Sequence, residues 1–250
     1  MPGRMLGCSA RLGPVGGVRA VLALVAVVIT LVAGCASTIP GSPQAMPGSG
    51  QPSSSASPSG SAQAVANEIK DAEQVVNQYW TAHWAQFFTG SYRPPQVVGL
   101  YDGRSPDAPL CGDKKAPPMN ALYCRPGDFV AWDVQLMTRG YQVGDAWVYL
   151  VVAHEWGHAI QARLAQSLNS LASELQADCL AGATLYGSVQ DGTLTFEEGD
   201  VKEIATALTV VSDETPWTSV ADHGDPFERI GAFDQGRRGG VPACLPGAVR

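Results

Sequence analysis

The stretch Asp145–Gln161, DAWVYLVVAHEWGHAIQ, constrains this chain most, because it sets His154, Glu155 and His158 inside an otherwise apolar run. Trp147, Leu150, Val151 and Ile160 recur at helical spacing, so the stretch predicts a helix that Asp145 can cap and that runs to about Ser167. The run Val148 to Ala153 requires that helix to be buried. A carboxylate in a buried helix is costly unless something compensates it, so Glu155 needs a reason to be there. Residues four apart on a helix lie on one face, one turn above the other. Two imidazoles so placed, His154 and His158, can bind one zinc ion at about 2.0–2.1 Å each. Glu155 is offset by roughly 100° around the helix, where it can reach a water at the metal without ligating it. Two helix histidines satisfied only by hydrogen bonds would leave Glu155 unexplained.

A catalytic zinc needs a third protein ligand and an open position. Glu174, in Glu174-Leu175-Gln176-Ala177-Asp178-Cys179, follows His158 by 16 residues. That interval lets the first helix finish, turn near Asn169, and return past the metal. Asn169 or Ser170 is expected to start this next helix, and Gly187 to end it after Tyr186. Asp178 lies one turn beyond Glu174 on the same face, where it can accept a hydrogen bond from the far nitrogen of a ligand histidine and fix its tautomer. Spacing alone permits the two carboxylates to exchange roles; Glu174 is taken as the ligand. Their neighbours Ala172, Leu175, Ala177 and Leu180 are apolar, which argues against a merely solvated face.

Elsewhere, Val65, Ile69, Ala72, Val76, Tyr79, Trp80, Trp84 and Phe87 predict a helix over 63–88, stopped by Pro94 and Pro95. Gln96–Tyr101 and Phe129–Trp132 read as short strands, and the Pro-, Gly- and Asp-rich segment 102–127 between them as an ordered loop. Thr195 with Glu198 forms a capping box for a helix whose buried stripe is Val201, Ile204, Leu208 and Val211. Beyond Pro216 an irregular segment with a short helix at Pro226–Phe233 is expected. The fold class is α+β, mainly helical.

No Asp or Glu precedes Glu68, whereas Arg4, Arg11 and Arg19 do. A basic start, the apolar run at 20–33, and Val32-Ala33-Gly34-Cys35 make residues 1–34 a signal peptide of lipoprotein type, with Cys35 the lipidated residue. Residues 36–62 carry no charge and are rich in Ser, Pro, Gly and Ala. With Cys35 they read as a disordered tether, 35–62, ahead of a folded domain at 63–250. The expected location is therefore the outer face of the bacterial cytoplasmic membrane, reached through a lipid anchor. The whole chain has a net charge of −7, and the part beyond Arg19 is more acidic still. Such a surface repels nucleic acid. Cys111, Cys124, Cys179 and Cys244 remain for an oxidising compartment. Four cysteines allow three pairings, and spacing does not choose among them. The expectation adopted is Cys111–Cys124, closing a Pro-rich loop, with Cys179–Cys244.

HEWGHAIQ, then ELQADCLAG, then a His-Gly…Arg segment and a terminal cysteine resemble the bacterial neutral zinc metallopeptidase family and, more distantly, the glutamate-zincin peptidases. The similarity covers roughly residues 65–245. It implies a zincin-like domain with a small sheet and an active-site helix, one zinc per chain on His154, His158 and Glu174, Glu155 as general base, Asp178 outside the ligands, and Cys179 paired with Cys244. At Asp222-His223-Gly224-Asp225-Pro226 the chain departs from the family's Thr-His-Gly-Ser type of segment. His223 is the first candidate to stabilise the oxyanion and Arg229 the second, although Arg229 is expected first to pair with Asp222 or Asp225. His83 reads as a packed, half-buried residue. The expected partner is a peptide or protein substrate, paired along the strand near Phe129–Trp132. Two other readings are compatible with the motif. One is an inactive zinc-binding surface lipoprotein that recognises a partner or the cell wall, and the other a zinc amidase acting on a non-peptide amide.

Overall fold

The computed structural model describes residues 58–219 and 222–247; the leader, Cys35 and the tether as far as residue 57 lie outside them. Helix α1 (Pro58–Phe87) starts five residues before the predicted Gln63. Strand β1 (Gln96–Tyr101) follows as predicted. The segment read as loop holds more: a hairpin of β2 (Leu110–Cys111) and β3 (Lys114–Lys115), then β4 (Ala121–Cys124). Strand β5 (Phe129–Asp133) completes a three-stranded sheet of order β1-β5-β4, parallel on the β1 side and antiparallel on the β4 side. The class is thus α+β, largely helical with a small sheet, and no helix among the described residues is long and apolar enough to cross a membrane.

A helix the sequence reading did not anticipate, α2 (Val134–Tyr141), grows directly from β5. Asp133 makes the junction: its buried carboxylate accepts from the amides of Gln135 and Leu136 as an N-cap, and from Gly103 across the loop. Helix α3 (Asp145–Gln161) is buried along nearly its whole length and ends about a turn and a half before the predicted Ser167. A short 3-10 turn at Gln166–Leu168 then leads to α4 (Ser173–Gln190). Gly187 does not terminate α4. A Cβ there would lie 2.2 Å from the Tyr79 ring, so this glycine admits α1 to close range.

Helix α5 is Asp200–Val210, with Gly199 rather than Thr195 at its start. Ile204 and Leu208 are buried as expected, but Val201 is 62% exposed. Helix α6 (Pro226–Ala243) is far longer than the short helix predicted. Asp225 caps it in a capping box with Glu228, and Pro226 sits at its first turn. The departure from Thr-His-Gly-Ser thus supplies a helix start. At Gly240 (φ 61°) the axis breaks ahead of Pro242.

Two glycines set how closely the site's helices approach. A Cβ on Gly157, between the two motif histidines, would stand 3.0 Å from the Ala177 carbonyl oxygen and 3.1 Å from its Cα. A Cβ on Gly236 of α6 would stand 1.8 Å from the carbonyl oxygen of Cys179 on α4. Helices α3, α4 and α6 therefore pack backbone against backbone. The Cys179–Cys244 disulfide ties the end of α6 to α4, and Cys111–Cys124 joins β2 to β4, so both expected pairings are present.

Gly236→Ala is expected to force α6 off α4 and cost about 1–3 kcal/mol of stability by overpacking. Urea unfolding followed by circular dichroism measures this, and an unchanged midpoint would mean that α6 is free to move away.

Candidate metal centre

Packing α4 on α3 at Gly157 places three side chains together. His154 Nε2 lies 3.2 Å from Glu174 Oε2, and His158 Nε2 lies 3.3 Å from Glu174 Oε1. The imidazole rings stand edge to face with centroids 4.8 Å apart. One potential ligand atom from each of the three residues falls within 4.8 Å of the other two. Bonds of about 2.0–2.1 Å at tetrahedral angles put neighbouring ligand atoms about 3.3 Å apart. The donor set, two imidazoles and a carboxylate at those separations, fits a zinc ion.

Asp178 is fully buried behind His154 and takes its Nδ1 at 2.8 Å. Arg229, also buried, grips Asp178 with Nε at 2.7 Å from Oδ2 and Nη2 at 2.9 Å from Oδ1, and donates Nη1 to the Val211 carbonyl. This corrects the expectation for Arg229, which pairs with neither Asp222 nor Asp225 but lies buried against Asp178. Both of those carboxylates are engaged locally. Asp222 accepts from Thr218 and Ser219, which lower its pKa to about 2, and Asp225 caps α6. Arg229 instead secures the residue that orients His154.

Glu155 is 9% exposed, and its Oε2 accepts the Tyr123 backbone N–H at 2.8 Å. Tyr123 belongs to β4, so the sheet edge reaches the carboxylate next to the histidines. The far nitrogen of His158 meets Gln161, a residue the sequence reading passed over, at 2.8 Å. Its signal was present, since Gln161 is a polar residue on the same buried helix that made Glu155 conspicuous.

His223 is not brought into this cluster. Its amide donates to Asp213 at 2.6 Å, and its half-exposed ring lies 3.5 Å from the same carboxylate. Among the described residues no hydrogen bond or ion pair joins it to His154, Glu155, His158 or Glu174. A Cβ on its neighbour Gly224 would meet the Leu175 side chain, beside Glu174, at 3.0 Å. His83 pairs with Asp191 at 2.7 Å and packs on Tyr79. The predicted substrate-pairing strand also needs correcting. Phe129–Trp132 lies in β5, which is hydrogen-bonded on both sides, so the open edge facing Glu155 belongs to β4.

Two imidazoles and a carboxylate converge on one point as a donor set that could hold a metal ion, with an acid beside them and buried polar groups behind them. The chain matches the family described as "Putative neutral zinc metallopeptidase" over residues 3–242, and it belongs to that family. Zinc is accordingly the cofactor the family implies. No curated protein and no solved structure matches the chain.

Without metal, these charges stabilise one another. Burial alone would depress His154, but the Asp178 and Glu174 carboxylates outweigh it and raise its pKa to about 10. Burial would raise Glu174, but the two imidazoles hold it well below its ordinary 4.5. The raised His154 contributes stability that is complete below its ordinary pKa of 6.5 and is lost as pH climbs through about 10. The depressed Glu174 contributes stability that is complete above 4.5 and is lost as pH falls below that value. Chelator-treated protein should therefore be most stable between pH 4.5 and 6.5 and weaken steadily on the alkaline side. Urea midpoints measured from pH 6 to 10 check this. A flat alkaline limb, or one unchanged in Glu174→Gln, would contradict the pairing.

Proposed function

We propose that this chain hydrolyses peptide bonds with a single zinc ion held by His154, His158 and Glu174. The observation that carries the reading is the pair of separations from Glu174 to the two motif histidines, 3.2 and 3.3 Å, with Glu155 alongside. Zinc bound there would polarise a substrate carbonyl and make a water acidic enough to act as a nucleophile near neutral pH. Glu155 acts as general base, accepting a proton from the attacking water and delivering it to the departing amine. The Tyr123 N–H holds one Glu155 oxygen at 2.8 Å and steadies the carboxylate. Asp178, itself fixed by Arg229, keeps the His154 proton on Nδ1 and the Nε2 lone pair toward the centre. His223 would stabilise the oxyanion only if its ring turned from Asp213 toward the centre.

The substrate is an extended peptide lying along β4. Because the Tyr123 amide points away from β5, the period of two along a strand turns the amide and carbonyl of Ala121 outward as well. Backbone pairing there would run the chain past Glu155. The proposal extends to the setting of the site: a zincin-like, glutamate-zincin type of catalytic unit over 63–250, tethered through 35–62 to a lipid on Cys35 at the outer membrane face, as the sequence leads one to expect.

Purified protein is expected to bind one zinc per chain and to cleave peptides in a chelator-sensitive manner. Glu155→Gln should keep its zinc while turnover drops about 10²–10⁴-fold. Zinc content by elemental analysis, combined with a quenched-peptide assay, checks both. Undiminished turnover in Glu155→Gln would remove Glu155 as the base.

A further inference from the structure

Behind His158 lies a chain of amides whose direction is dictated by the backbone. Gln176, 4% exposed, sends Nε2 to the carbonyl oxygens of Leu168 at 2.8 Å and Cys244 at 3.0 Å. Its Oε1 accepts the Ser170 N–H at 3.0 Å. A carbonyl can only accept and a backbone N–H can only donate, so this amide has one permissible orientation. Gln161 Nε2 in turn faces the Ser173 carbonyl oxygen at 2.7 Å and Gln176 Oε1 at 3.1 Å. Both are acceptors, so this position must be the NH2 group. Gln161 Oε1 is thereby left facing His158 Nδ1 at 2.8 Å.

We infer that Gln161 and Gln176 are a relay of positioning residues that fixes the His158 proton on Nδ1 and presents the Nε2 lone pair to the metal. The inference rests on the zinc site proposed above. An oxygen can only accept, so Nδ1 must carry hydrogen, and Nε2, 3.3 Å from Glu174, is the nitrogen left for the metal. His154 is oriented by a charged pair, Asp178 with Arg229, whereas His158 is oriented by neutral amides. The two outer partners thus differ in charge, and a neutral one adds no fourth carboxylate to a site that already holds Glu155, Glu174 and Asp178. The relay ends on the carbonyl of Cys244, the residue whose disulfide ties α6 to α4. One consequence is that the chain's C-terminal region helps hold a ligand on α3 without touching it.

The test compares wild type, Gln161→Met and Gln176→Met for zinc affinity by competition with a chromophoric chelator, and for metal-free stability by thermal unfolding. Loss of such an outer partner typically weakens metal binding about 10–100-fold. Gln161→Met is expected to show that loss, and Gln176→Met a smaller loss in the same direction. In zinc-loaded wild type, nitrogen-resolved proton spectra should show a protected imidazole Nδ1–H assigned to His158, exchanging fast in Gln161→Met. The wild-type spectrum keeps the test alive even where a variant fails to fold. Zinc affinity within twofold of wild type in Gln161→Met, or a wild-type His158 with its proton on Nε2, overturns the relay. A wild-type chain that takes up no zinc overturns the metal site itself, and the relay with it.

Discussion

The contact between Gly157 on α3 and Ala177 on α4 is the constraint on which the centre depends. Histidines at i and i+4 can offer two ligands from one helix, but they cannot supply the third. That carboxylate must arrive from a neighbour, and it can come within about 3.3 Å of both imidazoles only if the helices nearly touch. Glycine at 157 permits this, since any side chain there would press on the Ala177 backbone at about 3 Å. The same approach delivers Glu174 to the front of the histidines and Asp178 to the back of His154.

Around that contact, a second tier of helices holds the ligands in orientation. Helix α6 packs on α4 through Gly236, and this close seating lets Arg229 bury its guanidinium against Asp178. A carboxylate buried without that partner would carry a large desolvation penalty, so α6 belongs to the site as much as α3 does. The disulfide at Cys179–Cys244 fixes the far end of the same helix pair. Each motif histidine is thus backed by a hydrogen-bond acceptor that is itself held by a further partner.

What could be read from sequence followed from locality. The spacing of His154, Glu155 and His158 fixes their relative directions on any helix, and Glu174 and Asp178 are one turn apart on the next. Asp178 takes the His154 far nitrogen and Glu174 faces both Nε2 atoms, the arrangement taken from the sequence rather than its exchange. The partner of Arg229 was not legible, because sequence proximity favoured Asp222 and Asp225 while packing of α6 on α4 decided for Asp178. Strand β4 was missed because its four residues sit in a segment whose Pro, Gly and Asp content reads as loop. Helix α6 was cut short for a related reason: Gly236, Gly239, Gly240 and Pro242 look like breakers, yet Gly236 serves close packing. Helix α2 announced itself only through Asp133, whose capping role became visible once β5 was seen to end there.

A zinc ion held by His154, His158 and Glu174 would have two nitrogen ligands and an oxygen, with no sulfur. X-ray absorption at the zinc edge of the loaded protein tests this most directly. Two imidazole nitrogens at about 2.0–2.1 Å, with their outer-ring scattering, and oxygen at about 2.0–2.2 Å are expected. A sulfur shell near about 2.3 Å, or the absence of imidazole scattering, would contradict it.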